Sequence, residues 1–237
     1  MRTFLTAEWR NLILANYEVA PELLRPHVPA HTELDFWRGR CYASLVGFMF
    51  CNTRVLGWKI PFHVHFEEVN LRFYVRHRAA DGEWRRGVVF IKEIVPKPAI
   101  TFVANTLYGE NYQTMPMRHT WRREQRLQVH YGWKYRSAWN RLAVAASTTP
   151  HEMTEGSEEE FIAEHYWGYA RINDRQTMAY QVEHPRWLVH PVESYEIEAD
   201  TGALYGKGFK DLAKATPTSV FLAEGSEVIV RQGHKLS

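Results

Sequence analysis

Apolar and polar residues alternate with a period of two along much of the chain, and that pattern predicts strands. Residues 40–50 (RCYASLVGFMF) and 65–78 (HFEEVNLRFYVRHR) read as long strands, and the second leads to another at 87–95 (GVVFIKEIV). Between them lies Ala79-Ala80-Asp81-Gly82, a hairpin signal because Asp-Gly supplies the left-handed conformations of a tight turn. An apolar run over 11–19 precedes Pro21, which suits the first turn of a short helix over 21–25. Further strands are expected near 117–123, 126–136, 139–147, 167–173, 177–184, 188–198 and 226–231. Helical signals recur in three further places. Pro98 opens PAITFVANTLYG, which Gly109 closes. Ser157 with Glu160 three residues on forms a capping box for a helix running through EEFIAEHY. A small helical piece falls near 208–214. No repeat, low-complexity tract or linker interrupts the chain, and the polar stretch 147–160 joins elements rather than separating domains. Residues 1–237 are therefore read as one α+β domain with a large, mostly antiparallel sheet curled into a barrel.

Composition narrows what such a sheet is for. Aromatic residues make up 14% of the chain, ample material for a core or an apolar cavity. Lysine and arginine (29) nearly balance aspartate and glutamate (27), so no global field favours nucleic acid or a membrane surface. A Gly-rich phosphate loop, a Gly-x-Ser-x-Gly elbow, a Cys-x-x-Cys pair and a basic stripe are all missing, which moves nucleotide hydrolases, common serine hydrolases, zinc ribbons and nucleic-acid readers to the back. Cys41 and Cys51 are read as reduced core residues. With no secretory signal and no apolar run of about twenty residues, a soluble, cytoplasmic protein is expected.

Four groups of residues could carry chemistry. In FHVHFEE (62–68), His63, His65 and Glu67 would project together from an extended strand, and strand-borne His-x-His pairs bind zinc in some enzymes. Spacing supplies no third ligand, so the expectation is no metal and no cofactor, with both histidines at a strand entrance. Downstream, Val69, Leu71 and Phe73 form a core face, while Glu68, Asn70, Arg72 and Tyr74 occupy the opposite one. That second face either meets solvent or forms a polar wall around a ligand. Lys92-Glu93 and Lys97 in FIKEIVPKP form the next group; its lysines could attack a carbonyl, and Lys92 alternates with Phe90 and Ile94 as if pointing inward. Tyr108 and Tyr112 flank the turn after the helix at 98, where they could line a pocket mouth.

Six stretches taken in order resemble the YqjF-like family of uncharacterised bacterial proteins: NYEVAPELLRPHVP, ELDFWRGRCYASLVGFMF, FEEVNLRFYVR, RRGVVFIKEIVPKPAI, GSEEEFIAEHYWGY and VEHPRW. That family is distantly similar to acetoacetate decarboxylase. The resemblance implies an α+β, mostly antiparallel β-barrel or cone with a central cavity and a few flanking helices, and it moves the Glu68–Tyr74 face toward that cavity. The decarboxylase works through a Schiff-base lysine tuned by a neighbouring lysine. The corresponding segment here is Val95-Pro96-Lys97-Pro98, where proline replaces the second lysine, and one glutamate position of the relative falls on Ser44. The expectation is a small-molecule-binding barrel for a carboxylate or carbonyl compound, held by Arg72 with Glu68, Asn70, Tyr74, Tyr108 and Tyr112 around it. The alternative is a lyase acting on a keto acid through Lys97 or Lys92. A small-molecule partner is expected and nucleic acid and membrane are not, with homo-oligomerisation left open.

Overall fold

The computed structural model describes residues Met1–Ser237. Its strands, in chain order, are β1 (Thr3–Glu18), β2 (Glu33–Leu34), β3 (Tyr42–Val55), β4 (Phe66–Arg78), β5 (Trp84–Val95), β6 (Tyr112–Thr114), β7 (Met117–Arg123), β8 (Leu127–Tyr135), β9 (Ala138–Ala146), β10 (His151–Glu152), β11 (Trp167–Asn173), β12 (Gln176–Glu183), β13 (Leu188–Glu198), β14 (Ser219–Arg231) and β15 (His234–Leu236). Between them sit four short helices, α1 (Pro21–Leu24), α2 (Pro98–Tyr108), α3 (Glu158–Ala163) and α4 (Thr201–Tyr205). Local chemistry accounts for the helix ends. Proline opens α2, and Gly109 closes it at φ 69°, a conformation that costs glycine little. The Ser157 hydroxyl accepts from the Glu160 amide at 3.1 Å and starts α3. That helix stops at Ala163, short of the span expected through Tyr166: Glu164 leaves the helical region at φ −91°, ψ 64°, and the His165 amide turns back to the Ala163 carbonyl at 3.1 Å. No helix is long and apolar enough to cross a membrane.

The sheet closes on itself. Neighbours run β12–β11–β5–β4–β3–β1–β14, and pairing of Val182 with Val230 and Glu183 with Ile229 returns β14 to β12. This is the expected cone-like, mostly antiparallel architecture, with parallel contacts only where β5 meets β11 and β6. Closure leaves the ring with an inside and an outside. On the outside, β13 leaves β14 at Pro191, joins β9 from Val192, and carries β9, β8 and β7 back over the ring. Tyr131, Trp133 and Leu142 from that flap, with Leu204 of α4, pack on Ile13, Leu45, Leu71 and Ile94 in the main core.

The inner face carries a second apolar cluster, including Leu12, Phe48, Phe50, Phe66 and Val88. Three strands change phase on their way along it. In β5 the pairing passes from Leu71–Lys92 to Arg72–Phe90, so Ile91 is an extra residue and the inward positions shift from Phe90 to Glu93. In β1 the inward set runs from Trp9 to Leu12 across Asn11, at φ 52°. In β3 it runs from Phe50 to Thr53 across Asn52, at φ 53°. Asparagine is among the few residues that adopt this left-handed conformation readily.

Candidate functional site: a buried carboxyl cluster in the ring

All seven ring strands and α2 contribute to one internal cavity of about 370 Å³. Its walls are mostly apolar, from Trp9, Phe48, Phe50, Phe66, Phe90 and Trp167, while Ala99, Ile100, Val103 and Ala104 of α2 cover one side. Against this background stands one polar region. Glu68, Asn70 and Arg72 project inward from β4 at successive alternate positions, and Glu93, opposite Asn70 on β5, projects beside them. Glu110, just beyond α2, and Tyr112 of β6 complete the group with Tyr180 of β12.

Hydrogen bonds bind these groups into a network that is incomplete. Asn70 Nδ2 donates to Glu68 Oε1 at 2.9 Å, and the Tyr112 hydroxyl donates to Glu68 Oε2 at 3.0 Å. The Tyr180 hydroxyl donates to Glu110 Oε1 at 2.7 Å, and the Glu93 and Glu110 carboxyls lie within hydrogen-bonding reach of each other. Asn70 Oδ1, Glu93 Oε2 and Arg72 Nε are buried and have no partner. Arg72 makes one side-chain hydrogen bond, from Nη2 to the Ile162 carbonyl at 3.3 Å, and its guanidinium stands 5.7 Å from the Tyr74 ring centre.

Burial dominates the electrostatics. It pushes the Glu68 carboxyl up to about 7, the neighbouring charge of Glu110 adding to the shift while the bonds from Asn70 and Tyr112 and the charge of Arg72 oppose it. Glu110 is raised to about 7 by the same cause. Glu93 is raised well above the ordinary carboxyl range, by burial first and then by the charges of Glu110 and Glu68. The phenols of Tyr112 and Tyr180 are held well above their ordinary range by burial. Near neutral pH the cluster therefore holds protons that free carboxylates would have lost. His165, also at the cavity wall, is driven down to about 4 by burial despite the Asp35 carboxylate 3.5 Å away, so its imidazole is neutral.

Several expectations change once the side chains are placed. Lys92 does not point inward: the extra residue in β5 turns it to the outer face opposite Leu71, where Nζ donates to Gln113 Oε1 at 3.1 Å. Lys97 caps α2, its carbonyl accepting from the amides of Ile100 and Thr101, and neither lysine lines the cavity. His63, His65 and Glu67 do not share one strand face, because β4 begins only at Phe66. His63 sits at the cavity rim with Nδ1 bonded to the Pro61 carbonyl at 2.7 Å, His65 is exposed, and Glu67 pairs with His119 at 2.7 Å. No three His, Cys, Asp or Glu side chains are grouped to hold a metal ion. Tyr74 is buried on the inner side but does not line the cavity, its hydroxyl meeting Ser44 Oγ at 2.6 Å.

The family model DUF2071, described as an uncharacterized conserved protein, matches residues 6–227. The chain belongs to the DUF2071 family. It is 35% identical over 75 residues to the uncharacterized protein YqjF of Bacillus subtilis (strain 168), a match that spans 31% of each chain. Solved structures of similar fold include acetoacetate decarboxylase from Legionella pneumophila, at TM-score 0.68 and 13% identity over 100% of this chain and 88% of the other. An acetoacetate decarboxylase-like enzyme from Sphingomonas wittichii RW1 superimposes at TM-score 0.67 and 11% identity, covering 100% of this chain and 94% of that one. The enduracididine biosynthesis enzyme MppR, complexed with pyruvate, does so at 0.66 and 10%, covering 100% and 91%. At these identities the likeness is one of fold.

In this DUF2071 protein the structure brings Glu68, Asn70, Arg72, Tyr108 and Tyr112 to a single cavity, as strand alternation on β4 and the turn after α2 allow. Glu93, singled out in the sequence only as the neighbour of Lys92, belongs to that wall, and Glu110, Tyr180 and His165 were missed as members of it. The available signal for Glu93 was a carboxylate within the otherwise apolar run VVFIKEIV. For Glu110 it was a charge directly after the glycine that ends α2.

Proposed function

We propose that this DUF2071 protein binds a small amphipathic organic acid inside the ring, its carboxylate or carbonyl on Arg72 and its apolar part against the aromatic walls. One observation carries the reading: Arg72 is 8% exposed, lines an apolar cavity, and leaves Nε without a partner. A guanidinium taken out of water is costly unless it is paired, and an anion or polar oxygen in the cavity would pair it through charge-assisted hydrogen bonds. The pyruvate bound by MppR, a fold neighbour, is a ligand of the same chemical kind. The free thiols of Cys41 and Cys51 suit a reducing, cytoplasmic setting for this role.

A lysine-based keto-acid lyase is the weaker reading, because no lysine lines the cavity. The deciding experiment is calorimetric titration with 3-phenylpropionate, a carboxylate on an aromatic group. Arg72→Gln is expected to weaken its binding by about tenfold to a hundredfold, the worth of one charge-assisted hydrogen bond. The thermal midpoint should hold or rise, since the variant removes a poorly paired buried charge. Unchanged affinity in a folded Arg72→Gln variant would sink the proposal.

A further inference from the structure

We infer that the ligand of this cavity also carries a protonated amine, seated between Asn70 and Glu93, so that the complete ligand is a zwitterion of the amino-acid type with an apolar flank. The carboxylate half rests on the reading of Arg72 above; the amine half stands on different atoms.

Those atoms are the unpartnered ones. Asn70 is 1% exposed and Glu93 2% exposed, both line the cavity, and they are direct cross-strand partners on β4 and β5. Directly opposed residues place their Cβ atoms about 5 Å apart on the same face. Each presents a buried oxygen with no hydrogen bond, Oδ1 of Asn70 and Oε2 of Glu93. An amide oxygen only accepts, and Glu93 accepts at both oxygens once it gives up its proton, so in that ionised state the group that satisfies both together is a donor. An ammonium brings three donors and no acceptor. Two residues along β4, the unpartnered atom of Arg72 is a donor and calls for the opposite kind of group.

Charge points the same way. The groups facing Glu93 are Glu68 and Arg72 of β4, Glu110 beyond α2, Tyr112 of β6 and Tyr180 of β12. Three carboxyls thus stand against one guanidinium, and His165 at the wall is neutral. Burial raises Glu68 and Glu110 to about 7, so near neutral pH these carboxyls retain protons in part. An ammonium would take the place of those protons and release them to solvent. Aromatic faces such as Phe66 and Phe90 in the same walls favour a cation as well.

The test uses the two halves of one molecule. Phenethylamine carries the ammonium alone, and 3-phenylpropionate carries the carboxylate alone. Calorimetric titration of the full chain in phosphate and in Tris, buffers of different ionisation enthalpy, reads the proton count on binding. Phenethylamine is expected to bind with release of protons, and about tenfold or more weakly to Glu93→Gln, which keeps size but cannot become an anion. Asn70→Leu removes the second acceptor and should weaken the amine again. Because binding displaces protons, affinity for the amine should rise between about pH 6 and 8. No amine binding, proton uptake in place of release, or equal amine affinity in folded Glu93→Gln overturns the inference. The response of 3-phenylpropionate to Arg72→Gln is read separately, so failure of the amine leaves the carboxylate reading to its own result.

Discussion

Replacing Glu68 and Glu93 together with glutamine is expected to make the protein more stable than wild type at about pH 8, and no more stable at about pH 4.5. The sign follows from proton counts. In the unfolded chain both carboxyls titrate near the ordinary value of 4.5, whereas in the fold Glu68 titrates at about 7 and Glu93 is likewise raised well above the ordinary carboxyl range. Between these limits the native state holds protons that the unfolded state has released, so stability falls as pH rises. For Glu68 alone the shift is worth about 3 kcal/mol, at about 1.4 kcal/mol per pH unit. Glutamine is neutral at every pH and keeps an oxygen for the Tyr112 hydroxyl, so the variant escapes the penalty. His165 contributes the opposite slope, its depressed value of about 4 costing stability as pH falls below the unfolded 6.5. That slope is common to both proteins and cancels in their difference. Urea denaturation of both across this range checks the prediction, and parallel curves would refute it. The consequence reaches function: wild type keeps two acids that weaken the fold at neutral pH, as expected of groups retained to meet a ligand rather than to hold the structure.

How much of this was legible in the sequence depends on the strand. On β4 the alternation is unbroken from Phe66 to Tyr74, so Glu68, Asn70 and Arg72 could be assigned one face from spacing alone. The sequence could not say whether that face met water, because a polar row reads the same on a solvated sheet and inside a closed one. Ring closure decides it, through the Val182–Val230 pairing of residues far apart in the chain. On β5 strict alternation put Lys92 with Phe90, and the extra residue Ile91 reverses that, hiding Glu93 from a period-two reading. Asn11 and Asn52 do the same in β1 and β3, and only the left-handed tolerance of asparagine hinted at them. The hairpin at Asp81-Gly82, the proline and glycine bounding α2 and the Ser157 cap were all legible, because each is decided by bonds within a few residues. Glu110 and Tyr112 share the turn after α2 that spacing marked as a pocket mouth, but Tyr180 comes from β12, and no local pattern could have joined it to them.

Gly225→Ala is expected to destabilise the protein by about 3 kcal/mol, combining the cost of a left-handed alanine with that of a forced contact. Gly225 lies in β14 opposite Arg10 of β1, at φ 77°. A Cβ there would stand 2.0 Å from the Trp9 carbonyl oxygen and 2.7 Å from Leu12 Cδ1. Backbone cannot yield as a flexible side chain can, so β14 must move away from β1 at the point where β1 changes phase across Asn11. The matched control is Gly57→Ala, also at positive φ (88°) but with nothing within 4 Å of the added atom. It should cost about 1–2 kcal/mol, the conformational part alone. The difference between the two in urea denaturation isolates the steric part, and equal losses would show that β1 and β14 are not held this tightly. Because Trp9 and Leu12 both line the cavity, the same shift should weaken ligand binding in Gly225→Ala and leave it unchanged in Gly57→Ala. That split makes the ring closure itself, rather than stability in general, the determinant of the cavity's shape.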